Sequence, residues 1–216
     1  VYEQKARQST AHGAPEDRFQ KRTSFVGSCA GDTCMTQTLI PAWRGETLEP
    51  VEKLDAHIRG LKHKAISVFV LRGDEILIQR RAMGKYHTPG LWANTCCTHP
   101  NWEESSLDCA NRRLKEELGI SGLTLDYRDR VEYRADVGGG LIEHEVVDIF
   151  VAEVDRAPKL DLNPDEVMAT RWVRYGDLMQ EVVNEPSRFT PWLRIYLDTY
   201  APQIFGDLAV SCVNPA

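Results

Sequence analysis

The stretch that decides the fold runs from Thr98 to Ile120 and reads T-H-P-N-W-E-E-S-S-L-D-C-A-N-R-R-L-K-E-E-L-G-I. Leu107, Ala110, Leu114 and Leu118 recur every three to four residues, the spacing that gathers apolar side chains on one face of an α-helix. A helix is therefore expected over 105–118, with Gly119 as its stop because glycine takes the left-handed conformation without strain. Taken on residue type alone, it is a surface helix laced by ion pairs 112/116 and 113/117.

The same residues resemble the Nudix box: Gly, five residues, Glu, seven residues, then Arg-Glu-apolar-x-Glu-Glu-x-Gly-apolar. Glu104, Arg112, Leu114, Glu116, Glu117, Gly119 and Ile120 fall on matching positions. The resemblance implies an α/β Nudix-type fold, a single domain with a mixed β-sheet sandwiched between helices. It also implies carboxylates on this helix that hold Mg²⁺ against a diphosphate. Two positions depart: Thr98 stands where the Gly belongs, and Arg113 where the first Glu of the Arg-Glu pair belongs. With a cation in place of a carboxylate, the expected chemistry is binding without cleavage. Arg113 would grip a phosphate oxygen, and Glu117, four residues on and on the same face, would hold Mg²⁺ bridging to the same diphosphate.

Just upstream, P-G-L-W-A-N-T-C-C-T-H-P at 89–100 narrows the resemblance to the type 1 isopentenyl-diphosphate delta-isomerase family, and the likeness extends from about Thr38 to Tyr200. It implies a reactive thiol at Cys97, with Cys96 at the neighbouring position as internal control. It also implies a metal site built from His57, His63, His99, Glu143 and Glu145. In the segment L-I-E-H-E-V a strand would point Glu143 and Glu145 to one side and His144 to the other. Three imidazoles and two carboxylates suit Zn²⁺ or Mn²⁺ better than an ion that wants only hard oxygen. Lys53, Arg81, Lys85 and Arg113 match the family's diphosphate-binding positions, Tyr133 its hydroxyl beside the catalytic Glu145, and Trp192 its indole beside the reacting carbon. By helical period alone Trp192 is a core residue.

The implied activity, a step of isoprenoid biosynthesis, interconverts isopentenyl diphosphate and dimethylallyl diphosphate by protonation, a tertiary carbocation and deprotonation. The competing readings are a Nudix hydrolase of a nucleoside diphosphate derivative and a non-enzymatic module around a structural Zn²⁺. The second would want a closed Cys/His tetrahedron, which these residues do not supply.

Outward from this centre, Ile66, Val68, Phe69 and Val70, a Gly73-Asp74 turn, and Ile76, Leu77 and Ile78 read as a β-hairpin. Further strands are expected at 130–135, 141–152 and 170–174, a polar helix near 176–184 and an amphipathic one at 191–200. Residues 1–35 lack an apolar period and read as a poorly ordered extension; because the chain opens on Val, it reads as a fragment, an alternative-start product or an over-extended reading frame with Met35 as the natural start. The domain is expected over 36–205, with 206–216 as a tail.

A net charge of −6 and an isoelectric point near 5.6 argue against a nucleic-acid binder, so an anionic small molecule needs a local basic pocket. Six cysteines, two of them adjacent, do not make a disulfide framework and point to a reducing compartment. No apolar window is long enough to span a membrane, and residues 1–35 contain no apolar h-region between a basic start and a small-residue cleavage site. A cytoplasmic protein is expected, monomeric or homodimeric, with a small-molecule diphosphate as partner and neither nucleic acid nor membrane.

Overall fold

The computed structural model describes residues 38–209. The expected extension, the start at Met35 and residues 210–216 of the expected tail lie outside the described residues.

Two short strands, β1 (Leu39–Arg44) and β2 (Thr47–Glu52), pair antiparallel and place Pro41 opposite Pro50. Proline donates nothing to a ladder, so this hairpin can only stand at the edge of the sheet. Helix α1 (Lys53–Arg59) follows directly, its first turn capped by the Glu52 carboxylate, which accepts from the Asp55 N–H at 2.8 Å.

The apolar run read as a hairpin is the centre of the sheet. β3 (His63–Arg72) turns through Gly73-Asp74 into β4 (Glu75–Arg81), with Val70 opposite Leu77 and Arg72 opposite Glu75. β4 goes on to pair with β5 (Trp92–Ala93), and β3 with β6 (Cys96–Thr98). Three residues are too few to show an alternation, so only the pairing of Cys97 with Ser67 reveals that strand.

Helix α2 (Ser106–Leu118) is the expected one. The Ser105 hydroxyl accepts from the Asp108 N–H at its start, and Gly119, at φ +69°, closes it with its N–H on the Leu114 and Lys115 carbonyls. Glycine is required here twice over, because a Cβ at 119 would lie 2.6 Å from that of Asp161. Burying Leu114 and Leu118 contributes roughly 1.5–3 kcal/mol each.

Two long strands, β7 (Asp126–Gly138) and β8 (Leu141–Glu153), form an antiparallel ribbon, and β8 also runs parallel to β3, with His63 opposite Glu145. That pairing makes the sheet mixed. β8 alternates buried and half-buried residues from Leu141 to Val146 and is wholly buried from Val147 to Ala152. Only its second half is covered on both faces. β9 (Val167–Arg174) pairs with β4, and the chain ends in α3 (Tyr175–Asn184), a 3-10 turn at Pro186–Arg188, α4 (Pro191–Thr199) and α5 (Ala201–Phe205).

Period-two alternation along β3 and β8 divides the core. Ala65, Phe69, Val147, Ile149 and Val151 pack against Leu178, Trp192, Leu193, Tyr196 and Ile204 of α3, α4 and α5. Ile66, Val68, Val70 and Phe150 pack on the opposite face against Cys109, Ala110, Leu114 and Leu118 of α2. The sheet is thus sandwiched between helices, as the Nudix-like pattern implies. Ala209, beyond the expected boundary at 205, is buried in the first cluster.

Candidate active site

Register brings the site together. Glu145 on β8 has His63 opposite it on β3 and Tyr133 opposite it on β7, and Glu143, two residues back, points the same way. Both carboxylates are buried, at 3% and 6% exposure. His144 faces outward and meets Glu132, as the alternation requires. The Tyr133 hydroxyl is 2.7 Å from Glu143 Oε2 and 2.7 Å from Glu145 Oε2. A phenol has one proton and serves one carboxylate at a time, so the second contact calls for another proton on the pair. Burial and the Glu145 charge push Glu143 well above the usual carboxylate range. Burial alone would raise Glu145 too, but the imidazoles of His63 and His99 hold it well below that range.

Those imidazoles arrive from three elements. His57, on α1, bonds through Nδ1 to the Lys53 carbonyl at 2.6 Å, and His63, at the start of β3, bonds through Nδ1 to the Leu61 carbonyl at 2.7 Å. Each ring therefore keeps its Nε2 for the centre. His99, just past β6, reaches Glu145 Oε1 through Nε2 at 2.8 Å. Burial keeps His57 near 4 and His99 well below its ordinary value, so both rings are neutral. Donor atoms of His57, His63, His99 and Glu145 all lie within 4.8 Å of one another. Two buried ring nitrogens, His63 Nε2 and His99 Nδ1, have no hydrogen-bond partner. Imidazole nitrogens left without partners beside carboxylates fit a divalent ion.

Cys96 and Cys97 point to opposite sides of β6. Cys96 is fully buried in the α2 face of the core, whereas Cys97 lines an open cavity together with Tyr133, Glu143, Glu145, His99 and Trp192. Burial pushes the Cys97 thiol up to about 12, so it carries its proton. Trp192 is both a core residue of α4 and a wall of this cavity, and the Arg81 guanidinium lies 5.2 Å from its ring centroid.

Lys53, Arg81, Lys85 and Arg113 line the same cavity. Arg113 does not stand free. It donates to Glu117 Oε1 at 2.7 Å and to Glu116 at 2.9 Å, and lies 3.1 Å from Glu166. The pairs 112/116 and 113/117 expected of a plain surface helix are thus both present, and of the second only Arg113 lines the cavity. Glu117 is buried, its other oxygen accepting from Gln79 at 2.9 Å. Lys85 is paired with Glu166. Burial, opposed by Glu117 and reinforced by Arg81, brings Lys85 down to about 8. Arg81 Nε is buried without a partner, a donor waiting for an acceptor.

Residues 61–193 match the NUDIX domain. The chain is 63% identical over 172 residues to the isopentenyl-diphosphate delta-isomerase of Roseobacter denitrificans, covering 80% of this chain and 98% of that protein. It is 64% identical over 172 residues to that of Cereibacter sphaeroides, covering 80% of this chain and 97% of the relative. The chain belongs to the isopentenyl-diphosphate delta-isomerase family of the NUDIX fold. A MutT NUDIX hydrolase from Burkholderia pseudomallei superimposes with a TM-score of 0.50 at 23% identity, over 62% of this chain and 94% of that one; that likeness concerns the fold alone.

Against this family background, three cavity groups stand out that the sequence reading did not single out. His87 and Tyr86 line the cavity, and Glu166 pairs with two of its cations. His87 is a single histidine in a turn and Glu166 a single carboxylate in the loop before β9, so neither has a period or motif to mark it.

Proposed function

We propose that this protein interconverts isopentenyl diphosphate and dimethylallyl diphosphate. The observation that carries the reading is one cavity holding a protonated thiol, Cys97, together with a buried Glu145–Tyr133 hydrogen-bonded unit, between a cationic end and an imidazole–carboxylate end. An unactivated alkene is isomerised by adding a proton at the terminal methylene and removing one from the other side of the tertiary cation so formed. That work needs two proton-carrying groups facing one substrate. Because the reaction is reversible, Cys97 and Glu145 exchange acid and base roles with its direction, and Tyr133 holds the Glu145 carboxyl in place through its hydroxyl. Trp192 offers the cation an aromatic wall worth about 2 kcal/mol when desolvated, where a further carboxylate would capture it.

Lys53, Arg81, Lys85 and Arg113 bind and orient the diphosphate. We assign a transition metal, Zn²⁺ or Mn²⁺, to His57, His63, His99, Glu143 and Glu145, and Mg²⁺ brought with the diphosphate to Glu117. The bound cation would acidify a proton held on Glu145. Nucleotide hydrolysis is the weaker reading, since Arg113 stands where the hydrolase box has a carboxylate. The test is incubation with isopentenyl diphosphate and Mg²⁺, followed by acid treatment, to which an allylic diphosphate is labile. Acid-labile product is expected; release of phosphate without it would replace the proposal with a hydrolase.

A further inference from the structure

His87 stands beside His57 and Glu143, two of the five side chains assigned to the transition metal. Its Nε2 is 3.3 Å from Glu143 Oε1, closer than His57 Nε2 at 3.9 Å. Its ring stacks on that of His57, with centroids 5.6 Å apart and planes 25° from parallel. Two donors each about 2.1 Å from an ion lie at most about 4.2 Å apart. Both contacts fit within one coordination sphere, and donor atoms of His57, His87 and Glu143 all lie within 4.8 Å of one another.

The tautomer agrees. His87 Nδ1 meets the Thr88 hydroxyl at 3.1 Å. An imidazole that donates Nδ1–H to this oxygen turns its Nε2 lone pair toward Glu143, the arrangement already seen in His57 and His63, whose Nδ1 atoms are anchored on main-chain carbonyls. The alternative, Nε2–H donated to Glu143, is poorly served by 3.3 Å, because a charge-assisted bond closes to about 2.7–2.9 Å. The His99–Glu145 bond reaches 2.8 Å in the same cluster.

The turn that carries His87 is strained. Thr88 sits at φ +47°, which a β-branched residue avoids and a residue before proline avoids further. It is buried, and the His87 carbonyl ahead of it accepts from Arg81 Nη2 at 3.2 Å. Strain retained in a buried turn beside a ligand cluster is characteristic of a segment that must aim one side chain.

We propose that His87 is a further ligand of the transition-metal site, completing a set of four imidazoles and two carboxylates. This rests on the metal site assigned above. Six protein donors fill an octahedron and keep water and substrate off the ion. The added nitrogen favours a borderline ion such as Zn²⁺ or Co²⁺ over Mn²⁺ or Mg²⁺.

The experiment is Co²⁺ titration of the metal-stripped full chain, followed by visible absorption and by competition with a chromophoric chelator. It compares wild type, His87→Ala, His87→Gln and, as control, His99→Ala, with the melting of each stripped protein recorded. Wild type should bind one Co²⁺ with the weak bands of six-coordination. Both His87 variants should lose at least about 10–100-fold in affinity, the scale set even by outer partners of a ligand, and their absorption should strengthen as coordination falls. Wild-type affinity and spectrum in His87→Gln would overturn the proposal. Glutamine can still donate to Glu143, and that outcome would make His87 a positioning residue; should His87→Ala not fold, the glutamine variant decides alone. A wild type that binds no Co²⁺, like His99→Ala, would remove the metal site itself and this ligand with it.

Discussion

The two ends of the cavity are organised by opposite means. At the imidazole end, His57 and His63 are tied through Nδ1 to carbonyls of their own segments, so their rings are aimed before anything binds. Among the cations, Arg113 and Lys85 are engaged by Glu116, Glu117 and Glu166, side chains that a diphosphate bound as proposed would displace or share. One end is pre-organised; the other is a set of ion pairs waiting to be exchanged. The difference teaches where each kind of kinetic effect belongs. Loss at the reacting groups beside the fixed end should appear in kcat, and loss at the exchangeable end in KM.

The hardest test of this division is the cavity thiol. Cys97→Ala should lower kcat by about 10²–10⁴-fold, the usual contribution of a general acid or base. Cys96→Ala, whose side chain lies in the α2 core, should keep most of the activity. Steady-state rates with isopentenyl diphosphate decide; equal loss in both variants would dissolve the distinction.

Arg113→Ala comes next. A charge-assisted contact to the unreacting end of the substrate is made in ground and transition states alike, so KM should rise while kcat holds, at a loss of roughly 1.5–3 kcal/mol. Arg113→Glu should do more harm by adding repulsion, yet release no phosphate from nucleoside diphosphates, since cleavage also needs a positioned water and base. A fall confined to kcat would place Arg113 with the fixed end.

The smallest effect is expected at Glu166. If its carboxylate competes with the diphosphate for Lys85 and Arg113, Glu166→Gln should lower the inhibition constant of inorganic pyrophosphate by a few-fold, in keeping with the ~0.2–1 kcal/mol of a partly exposed ion pair. Weaker pyrophosphate inhibition would show instead that Glu166 holds the two cations in place, and the cationic end would then be as pre-organised as the other.

What could be read in advance follows the range of each physical signal. Helix α2 was legible because its apolar period, its terminal glycine and its charged positions are all local. The same-side placement of Glu143 and Glu145 was legible because alternation is a property of any strand. That His63 would stand opposite Glu145 follows from strand pairing across the sheet, which no local pattern states. His87 and Glu166 acquire meaning only through what they face. The prolines at 41 and 50 disguised the first hairpin, and only their pairing at a sheet edge explains them. For Arg113 the intrahelical ion pair and the cavity cation are one side chain, so residue type alone could not choose between the two readings.

The parallel pairing of His63 with Glu145 also has a temporal meaning. The partners are about eighty residues apart in the chain, and His99, their neighbour in space, lies between them in sequence. Contacts of such separation form slowly, because the intervening chain must give up its freedom before any contact rewards it. The hairpin at Gly73-Asp74 and helix α2 can form early; the imidazole cluster cannot. In a zinc finger the ion gathers a short segment and so drives folding. Here the proposed ligands meet only once β3 and β8 lie side by side, so capture of an ion there would be a late event that reports a completed sheet rather than an early one that builds it.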